Sequence, residues 1–394
     1  MIDLLNGNDA AAEGARLCRP KVIPTYPVTP MAPVLTRIAK DIADKKLDAN
    51  LVQLECDQSA IAACAGASLG GARVFTATSS QGLAYMHEHL FYISGLRLPV
   101  VMGVVNRSLS APHCRLADHN DALAQKSTGW IQFFCEDIQE VLDNCIQLYK
   151  ICEHKDVLLP GMFCYEAYIH SHTLETVEIP EQSLVDGFLG DSKPAWTILD
   201  PENPITINPN TSDQYYTEFR YRQSVAMDKS RKIIEDVALE FKKIFGRDYK
   251  GSIEVWPEDK GEIVIVTMGA MVKTARQVIL ELREKGKDIK MVKVRAFRPF
   301  PSEELQNALK DAKKVIVIDK NNTPGLGGSL YHELRSSLYG MKRQPIIYSA
   351  IAGLGGRDVS IPQIKDLVNR VSRDRDGSLN SGKPLWIGLK KGVR

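Results

Sequence analysis

Residues 55–83 read ECDQSAIAACAGASLGGARVFTATSSQGL, and this block decides the fold. From Ser59 to Gly71 nearly every residue is Ala, Gly, Ser or Cys, so a helix there must lie very close to a neighbouring backbone. Two acids, Glu55 and Asp57, stand at its head, where the positive helix end helps a carboxylate stay ionised. Thr76-Ala77-Thr78-Ser79-Ser80-Gln81-Gly82 then closes a strand with a polar turn into the next helix. Upstream, the apolar run Val22-Ile23-Pro24-Thr25 ends in Tyr26-Pro27-Val28-Thr29-Pro30, a stiff strand end carrying a hydroxyl. Strand ends and helix heads of this kind aim polar groups into a cleft of an α/β protein. The bland reading, a tight helix–sheet contact with a capping acid, stays open on composition alone.

Outward from this block, short apolar runs alternate with amphipathic stretches. Strands are expected at Val22–Tyr26, Leu51–Leu54, Val74–Ala77, Val100–Val105, Ile131–Cys135 and Leu158–Tyr165, with helices at about 31–44, 57–70, 83–93 and 137–153. In the last of these, Ile138, Val141, Leu142, Cys145, Leu148 and Cys152 recur at helical steps, and Asp137 with Glu140 forms a capping-box pattern. Such alternation argues a mostly parallel sheet covered on both faces. From 174 to 221 five prolines and many polar residues predict an irregular arm, either a lid or an arm over another subunit. A helix over 222–246 follows, stopped by Gly246. A second α/β unit starts near Glu262, with strands at Ile263–Thr267, Lys290–Val294, Lys314–Ile318 and Pro345–Ser349 and helices near 270–285, 302–311 and 328–339. Two three-layer α/β domains are therefore expected, 1–235 including the arm 174–221, and 255–394.

Composition excludes more than it reveals. Fifty basic residues against 48 acidic ones, a net charge of +2 in 394 residues, give no electrostatic case for nucleic acid or a membrane surface. The longest apolar runs span eight residues, Leu98–Val105 and Val157–Cys164, far below the roughly 20 that a spanning helix needs. With no basic segment before an apolar core at the N-terminus, a cytoplasmic protein is expected. All eight cysteines precede residue 165 and none forms Cys-x-x-Cys, so no metal site is expected in this chain and the thiols read as small buried hydrophobes.

Taken together, Tyr26–Pro30, the 55–82 block, Asn106-Arg107-Ser108-Leu109-Ser110-Ala111-Pro112, Thr128-Gly129-Trp130 and Phe297-Arg298-Pro299-Phe300-Pro301 resemble the alpha subunit of 2-oxoacid:ferredoxin oxidoreductases. The pyruvate:ferredoxin members match best, and the likeness extends to Gly353-Leu354-Gly355-Gly356-Arg357-Asp358 and the closing Trp386-Ile387-Gly388-Leu389. The resemblance implies a thiamine-diphosphate pyrimidine-binding fold followed by a transketolase-C-terminal-like domain. It implies oxidative decarboxylation of a 2-oxoacid, acyl transfer to coenzyme A, and electron transfer through iron–sulfur clusters to ferredoxin. A beta subunit would bring the diphosphate, its Mg2+ and a proximal [4Fe-4S] cluster, and gamma and delta-type ferredoxin-like subunits the rest.

Thiamine becomes a nucleophile when C2 loses its proton to the ring's own 4′-imino group, and that tautomer needs a carboxylate at N1′ in an apolar cleft. Counting back nine positions from Gly66 puts the family's glutamate at Asp57, one methylene shorter. Either the backbone moves closer or Glu55 does the work. Thr29 falls at the family's substrate-side threonine, where the oxalate-specific relative resembles the family with an arginine instead. Arg107 matches the arginine at the end of a central strand, a planar fork for the substrate carboxylate. Pro27, Ser79, Ser80 and Gln81 are expected to line the cofactor cleft. Where pyruvate-type relatives carry an Asn-Ile-Trp-like run, this chain has Cys114-Arg115-Leu116-Ala117, which bears on the substrate side chain. His119 reads as a helix-start or interface histidine, and Thr323–Gly328 as a tight turn rather than a phosphate loop. Three other readings remain: the same chemistry on a branched or aromatic 2-oxoacid, a non-catalytic scaffold for cluster-bearing subunits, and a stand-alone nucleotide-binding dehydrogenase.

Overall fold

The first sheet is built from strands that are buried on both faces, which is why they read as continuous apolar runs. In a computed structural model describing residues 1–190, 199–259, 261–380, 382–390 and 392, Phe75–Thr78, Val101–Asn106, Gly161–Glu166 and Ile131–Phe134 run parallel in that spatial order. Ala296–Arg298, from much later in the chain, pairs antiparallel with Ile131–Phe134. Val22–Thr25 and Asn50–Gln53 form a parallel pair beside Phe75–Thr78. A bridge between Val22 and Val74 joins the two, and the Thr76 hydroxyl donates to the Pro24 carbonyl at 2.8 Å.

The helix Ile138–Cys152 starts where expected, with the Asp137 carboxylate accepting the Glu140 amide at 2.9 Å. Against it lies a helix the pattern did not announce, Gly7–Cys18, capped by Asn6. The two approach closely at Gly14, where a Cβ would stand 3.0 Å from the Cys145 Cβ.

The stretch 174–221 differs from the irregular arm expected there. Glu175–Glu178 is a strand paired antiparallel with Ile2–Leu5, Gln182–Leu189 is a helix, and the long helix runs over Asp213–Phe245 rather than starting at 222. The pattern hides these elements for two reasons. The strand's partner lies at the far end of the chain, and the first turns of the long helix are exposed on every side, so no apolar stripe marks them. Pro194 and its neighbours over 191–198 lie outside the described residues.

A second sheet has the order Leu385–Trp386, Ile346–Ile351, Lys314–Asp319, Ile263–Thr267, Ile289–Val294 and Ile253–Trp256. All pairs are parallel except the last. The turn Thr323–Gly328 leads into the helix Ser329–Ser337, whose N-terminus is already filled. Asp319 accepts the Leu330 and Tyr331 amides at 2.8 and 3.1 Å, and any side chain at Gly328 would collide with its carboxyl. Burial pushes that carboxyl up to about 7. An external phosphate has no room there, in keeping with a structural turn.

Polar contacts lock the two sheets' layers together. The fully buried Arg295 donates to Asn144 Oδ1 at 3.0 and 2.6 Å, to Gln147 Oε1 at 2.9 Å and to the Gly251 carbonyl at 3.0 Å. Among the described residues no helix is long and apolar enough to cross a membrane.

Candidate active site

Asp57 is the first residue of the helix Asp57–Leu69, capped by Cys56, whose sulfur accepts the Ser59 amide at 3.5 Å. The small residues behind Asp57 let this helix settle on the Val22–Thr25 and Phe75–Thr78 strands, carrying the carboxyl inward until it is only 5% exposed. The Thr78 hydroxyl donates to Asp57 Oδ1 at 2.7 Å. Burial pushes the Asp57 carboxyl above its ordinary range, outweighing the Thr78 hydroxyl, the backbone and the Arg107 charge that pull it down. This corrects the expectation that the helix end would keep the acid ionised: desolvation is the larger effect. Glu55 lies differently. It is exposed and accepts a hydrogen bond from the Ser59 hydroxyl, which holds its carboxyl below the usual range.

Gly82 makes the Asp57 position possible. A Cβ there would lie 2.5 Å from Thr78 Oγ1 and 2.6 Å from Asp57 Oδ1. Gly82→Ala is expected to displace the carboxyl and cost roughly 10²-fold in turnover, with about 1–3 kcal/mol of stability lost to overpacking. Assay of the assembled enzyme alongside chemical denaturation checks both.

Arg107 begins the loop after the central strand Val101–Asn106. One terminal nitrogen donates to the Thr29 carbonyl and the other to Gln81 Oε1 at 2.8 Å. Two buried donors in this cluster have no partner among the described residues, Arg107 Nε and Gln81 Nε2. Burial lowers the Arg107 pKa, with the neighbouring Arg115 charge acting in the same direction and Asp121 opposing it. Unmet donors on a guanidinium and an amide side chain are groups that an anion can satisfy.

The backbone around these donors is held by Asp121, two residues beyond His119. Its Oδ2 accepts the Ser80 and Arg107 amides at 3.0 and 2.9 Å, and its Oδ1 accepts Asn106 Nδ2 and the Ala122 amide, both at 2.8 Å. Burial pushes the Asp121 carboxyl up to about 6 despite these four donors. Ser80 sits at φ 54°, ψ −121°, a backbone conformation costly for a residue with a side chain. Its hydroxyl bridges to the Ser108 carbonyl and to Gln81 Oε1, each at 2.7 Å. A strained serine next to Gln81 is not readable from sequence, because the strain is imposed by Asp121 and Ser108 from other segments.

Of the residues singled out by sequence, Asp57, Arg107, Gln81 and Ser80 are thus drawn into one cluster. Thr29 joins through its carbonyl while its side chain, like Pro27, is exposed at the rim. The Ser79 hydroxyl donates to the Val105 carbonyl at 2.7 Å and so ties neighbouring strands together. Thr78, not named individually beforehand, is the hydroxyl nearest the acid. Among the described residues no group of three or more His, Cys, Asp or Glu side chains is arranged to hold a metal ion.

The chain matches two family profiles in succession. Residues 13–239 match "pyruvate flavodoxin/ferredoxin oxidoreductase, thiamine diphosphate-binding", and residues 261–364 match "pyruvate:ferredoxin oxidoreductase core domain II". The pyruvate synthase subunit PorA of Methanothermobacter thermautotrophicus is 44% identical over 99% of both chains. That of Methanocaldococcus jannaschii is 44% identical over 99% of this chain and 98% of its own. The ketoisovalerate oxidoreductase subunit VorA of Pyrococcus horikoshii is 40% identical over 98% of each. Among solved structures, a 2-oxoglutarate:ferredoxin oxidoreductase from Magnetococcus marinus shares the fold with a TM-score of 0.74 at 20% identity, over 94% of this chain and 65% of that longer one. A split gene transketolase superposes at 0.53 and 11% identity, over 92% and 97%. The two α/β domains are therefore a thiamine-diphosphate pyrimidine-binding fold and a transketolase-C-terminal-like domain, and the chain belongs to the pyruvate flavodoxin/ferredoxin oxidoreductase family.

Proposed function

We propose that this chain supplies the pyrimidine-side and substrate-carboxylate part of the active site in a CoA-acylating 2-oxoacid:ferredoxin oxidoreductase that acts on pyruvate. The observation that carries the reading is the pairing of two features in one cleft. A buried acid, Asp57, is oriented by Thr78, and Arg107 and Gln81 hold unmet donors. The donor set suits the group. An aminopyrimidine needs a carboxyl partner in a dry setting, and Asp57 has its second oxygen free of any side-chain donor among the described residues. Thiamine diphosphate, when bound, supplies the nucleophilic carbon and the electron sink that decarboxylation of a 2-oxoacid requires.

This chain's own residues do the rest. Asp57 holds and exchanges a proton at the ring nitrogen N1′. Thr78 fixes the carboxyl's direction. Arg107 and Gln81 receive the substrate carboxylate, and Thr29 offers a hydroxyl from the rim. Pro27, Ser79 and Ser80 shape the wall against which the cofactor lies. Glu55, exposed beside Ser59, is left outside the chemistry. A beta subunit carries the diphosphate with Mg2+ and a [4Fe-4S] cluster, and gamma and delta-type subunits pass electrons to ferredoxin; among the described residues no group of three or more His, Cys, Asp or Glu is arranged to hold a metal ion. The near-zero net charge supports a partner set without nucleic acid or membrane, and we place the chain in the cytoplasm. The proposed division into 1–235 and 255–394 falls near the change from the long helix Asp213–Phe245 to the strand Ile253–Trp256 of the second sheet, although the helix runs past 235 and the strand starts before 255.

One observation favours a second substrate. The relatives include ketoisovalerate subunits at 40% identity, and the run Cys114-Arg115-Leu116-Ala117 departs from the pyruvate pattern. A branched 2-oxoacid is therefore the alternative. Co-purification with the companion subunits, followed by a 2-oxoacid panel with viologen reduction, decides between them. Pyruvate is expected to give the highest kcat/KM. A higher value for 2-oxoisovalerate would replace the substrate, and no reduction by any 2-oxoacid in the cofactor-loaded complex would end the proposal.

A further inference from the structure

The loop that follows Arg107 is gripped from the second sheet's side. Lys320, at the carboxyl end of the strand Lys314–Asp319, places its ammonium on Glu166 Oε2. Glu166 ends the central strand Gly161–Glu166 of the first sheet. Its other oxygen accepts the Ala270 amide at 3.1 Å and lies 3.1 Å from His119 Nε2. The His119 amide donates to the Lys320 carbonyl at 2.9 Å, and the Asn322 amide to Asn120 Oδ1 at 3.1 Å. The Gly356 amide reaches the Ala117 carbonyl at 2.7 Å. Two residues after His119 stands Asp121, which carries the Ser80 and Arg107 amides. All three charged or titratable members are buried: Glu166 and His119 are each 1% exposed and Lys320 is 5% exposed.

We infer that Lys320, Glu166 and His119 form a pin between the domains whose task is to position Arg107. Through it the second domain sets the geometry of the substrate-carboxylate receptor. This rests on the reading of Arg107 as the carboxylate's partner. Adhesion alone does not account for the pin. The domains already share a continuous apolar cluster that includes Leu83, Leu123, Phe134, Val266, Phe297 and Leu330. A desolvated charge pair adds little to stability over apolar residues of the same size, and its attested use is in fixing register. Position is what this pair controls, because Lys320 meets Glu166 where its own carbonyl and the Asn322 amide hold His119 and Asn120 of the loop between Arg107 and Asp121. Its base closes on itself where the Ser108 amide and hydroxyl donate to the Leu116 carbonyl at 3.0 and 2.9 Å. A side chain at Gly269 would strike Glu166 and His119 at 2.9 Å, so the second domain's chain is also shaped to let the pin close.

The test is the double variant Glu166→Gln with Lys320→Met, purified in the complete complex with thiamine diphosphate bound. Removing both charges leaves neither stranded, so the fold survives where Lys320→Met alone would leave an unpaired carboxylate. A positioning role predicts a 2-oxoacid KM raised by roughly 10- to 100-fold, with kcat changed far less. Amide deuterium uptake should quicken across residues 107–121 and stay level in the strands Ile263–Thr267 and Lys314–Asp319. An unchanged KM with unchanged uptake over 107–121 overturns the inference. So does faster uptake throughout both domains with a lower melting temperature and no rise in KM, which is the behaviour of a domain adhesive. Arg107→Lys, measured alongside, keeps the two ideas apart. If it leaves KM unaltered, the carboxylate reading fails; if it raises KM and the double variant does not, only the pin fails.

Discussion

Asp57→Asn in the assembled enzyme is expected to lower turnover by about 10²- to 10⁴-fold, the range for losing a positioned general acid–base group. Glu55→Gln, made separately, should leave turnover within a few fold, because Glu55 is exposed and engaged with its sequence neighbours Ser59 and Cys56. The same asparagine should stabilise the chain near neutral pH. A carboxyl whose folded pKa lies above its unfolded one contributes stability that is full below the unfolded value. That stability is lost as pH rises through the folded value, and Asp57 is such a group. At pH 7 the wild-type carboxylate is therefore a burden on the fold that the amide lacks, a trade common where function needs a desolvated charge. The activity profile carries the complementary sign. If the ionised acid is needed, the acidic limb of kcat/KM should fall at a pH above the ordinary aspartate value and disappear in the variant. Full turnover by Asp57→Asn would turn the chain into a scaffold. Loss in Glu55→Gln instead would move the chemistry two residues upstream.

Arg107→Lys should raise KM for the 2-oxoacid by about 10²-fold or more while charge is conserved. The guanidinium donates at once to the Thr29 carbonyl and to Gln81 Oε1, and its buried Nε has no partner among the described residues. An ammonium on a flexible stem cannot hold that fork. Hydrogen bonds to charged groups are worth about 1.5–3 kcal/mol each, so the loss of two accounts for the size of the effect. The loss should fall mainly on binding, because the contact exists before the bond to the carboxylate breaks. Thiamine diphosphate affinity, measured by calorimetry, should stay within a few fold. A variant with unaltered KM would show that the substrate carboxylate sits elsewhere.

Much of this was legible in the residues themselves. The strand Val101–Asn106 and the helix Ile138–Cys152 declare themselves by burial pattern and capping, and both lie within a residue or two of expectation. The helix headed by Asp57 declares itself by its small residues. Other parts depend on contacts that no local window contains. Ile2–Leu5 is mostly exposed and becomes a strand only by pairing with Glu175–Glu178. Gly7–Cys18 is short on large apolar residues and is buried because Gly14 lets Cys145 approach. The site shows the same divide. Asp57 and Arg107 stand out by motif, whereas the strain at Ser80 and the four-donor grip of Asp121 arise from segments 28 and 41 residues apart from Ser80. The direction of the Asp57 shift also escapes sequence, since the helix end and the burial act oppositely and only packing decides between them.

The short strand Ala296–Arg298 bears on how this polypeptide can be taken apart. It is encoded with the C-terminal unit yet seals the rim of the N-terminal sheet, pairing Ala296 with Phe133 and Arg298 with Gln132. A fragment ended in the linker between Phe245 and Ile253 would bare the amides and carbonyls of Ile131–Phe134, an invitation to illicit strand addition. It would also strip Asn144 and Gln147 of the guanidinium that satisfies them. A chimaera joined at the linker thus needs residues 295–298 matched to the parent of the first sheet, so that the seal fits the sheet it closes.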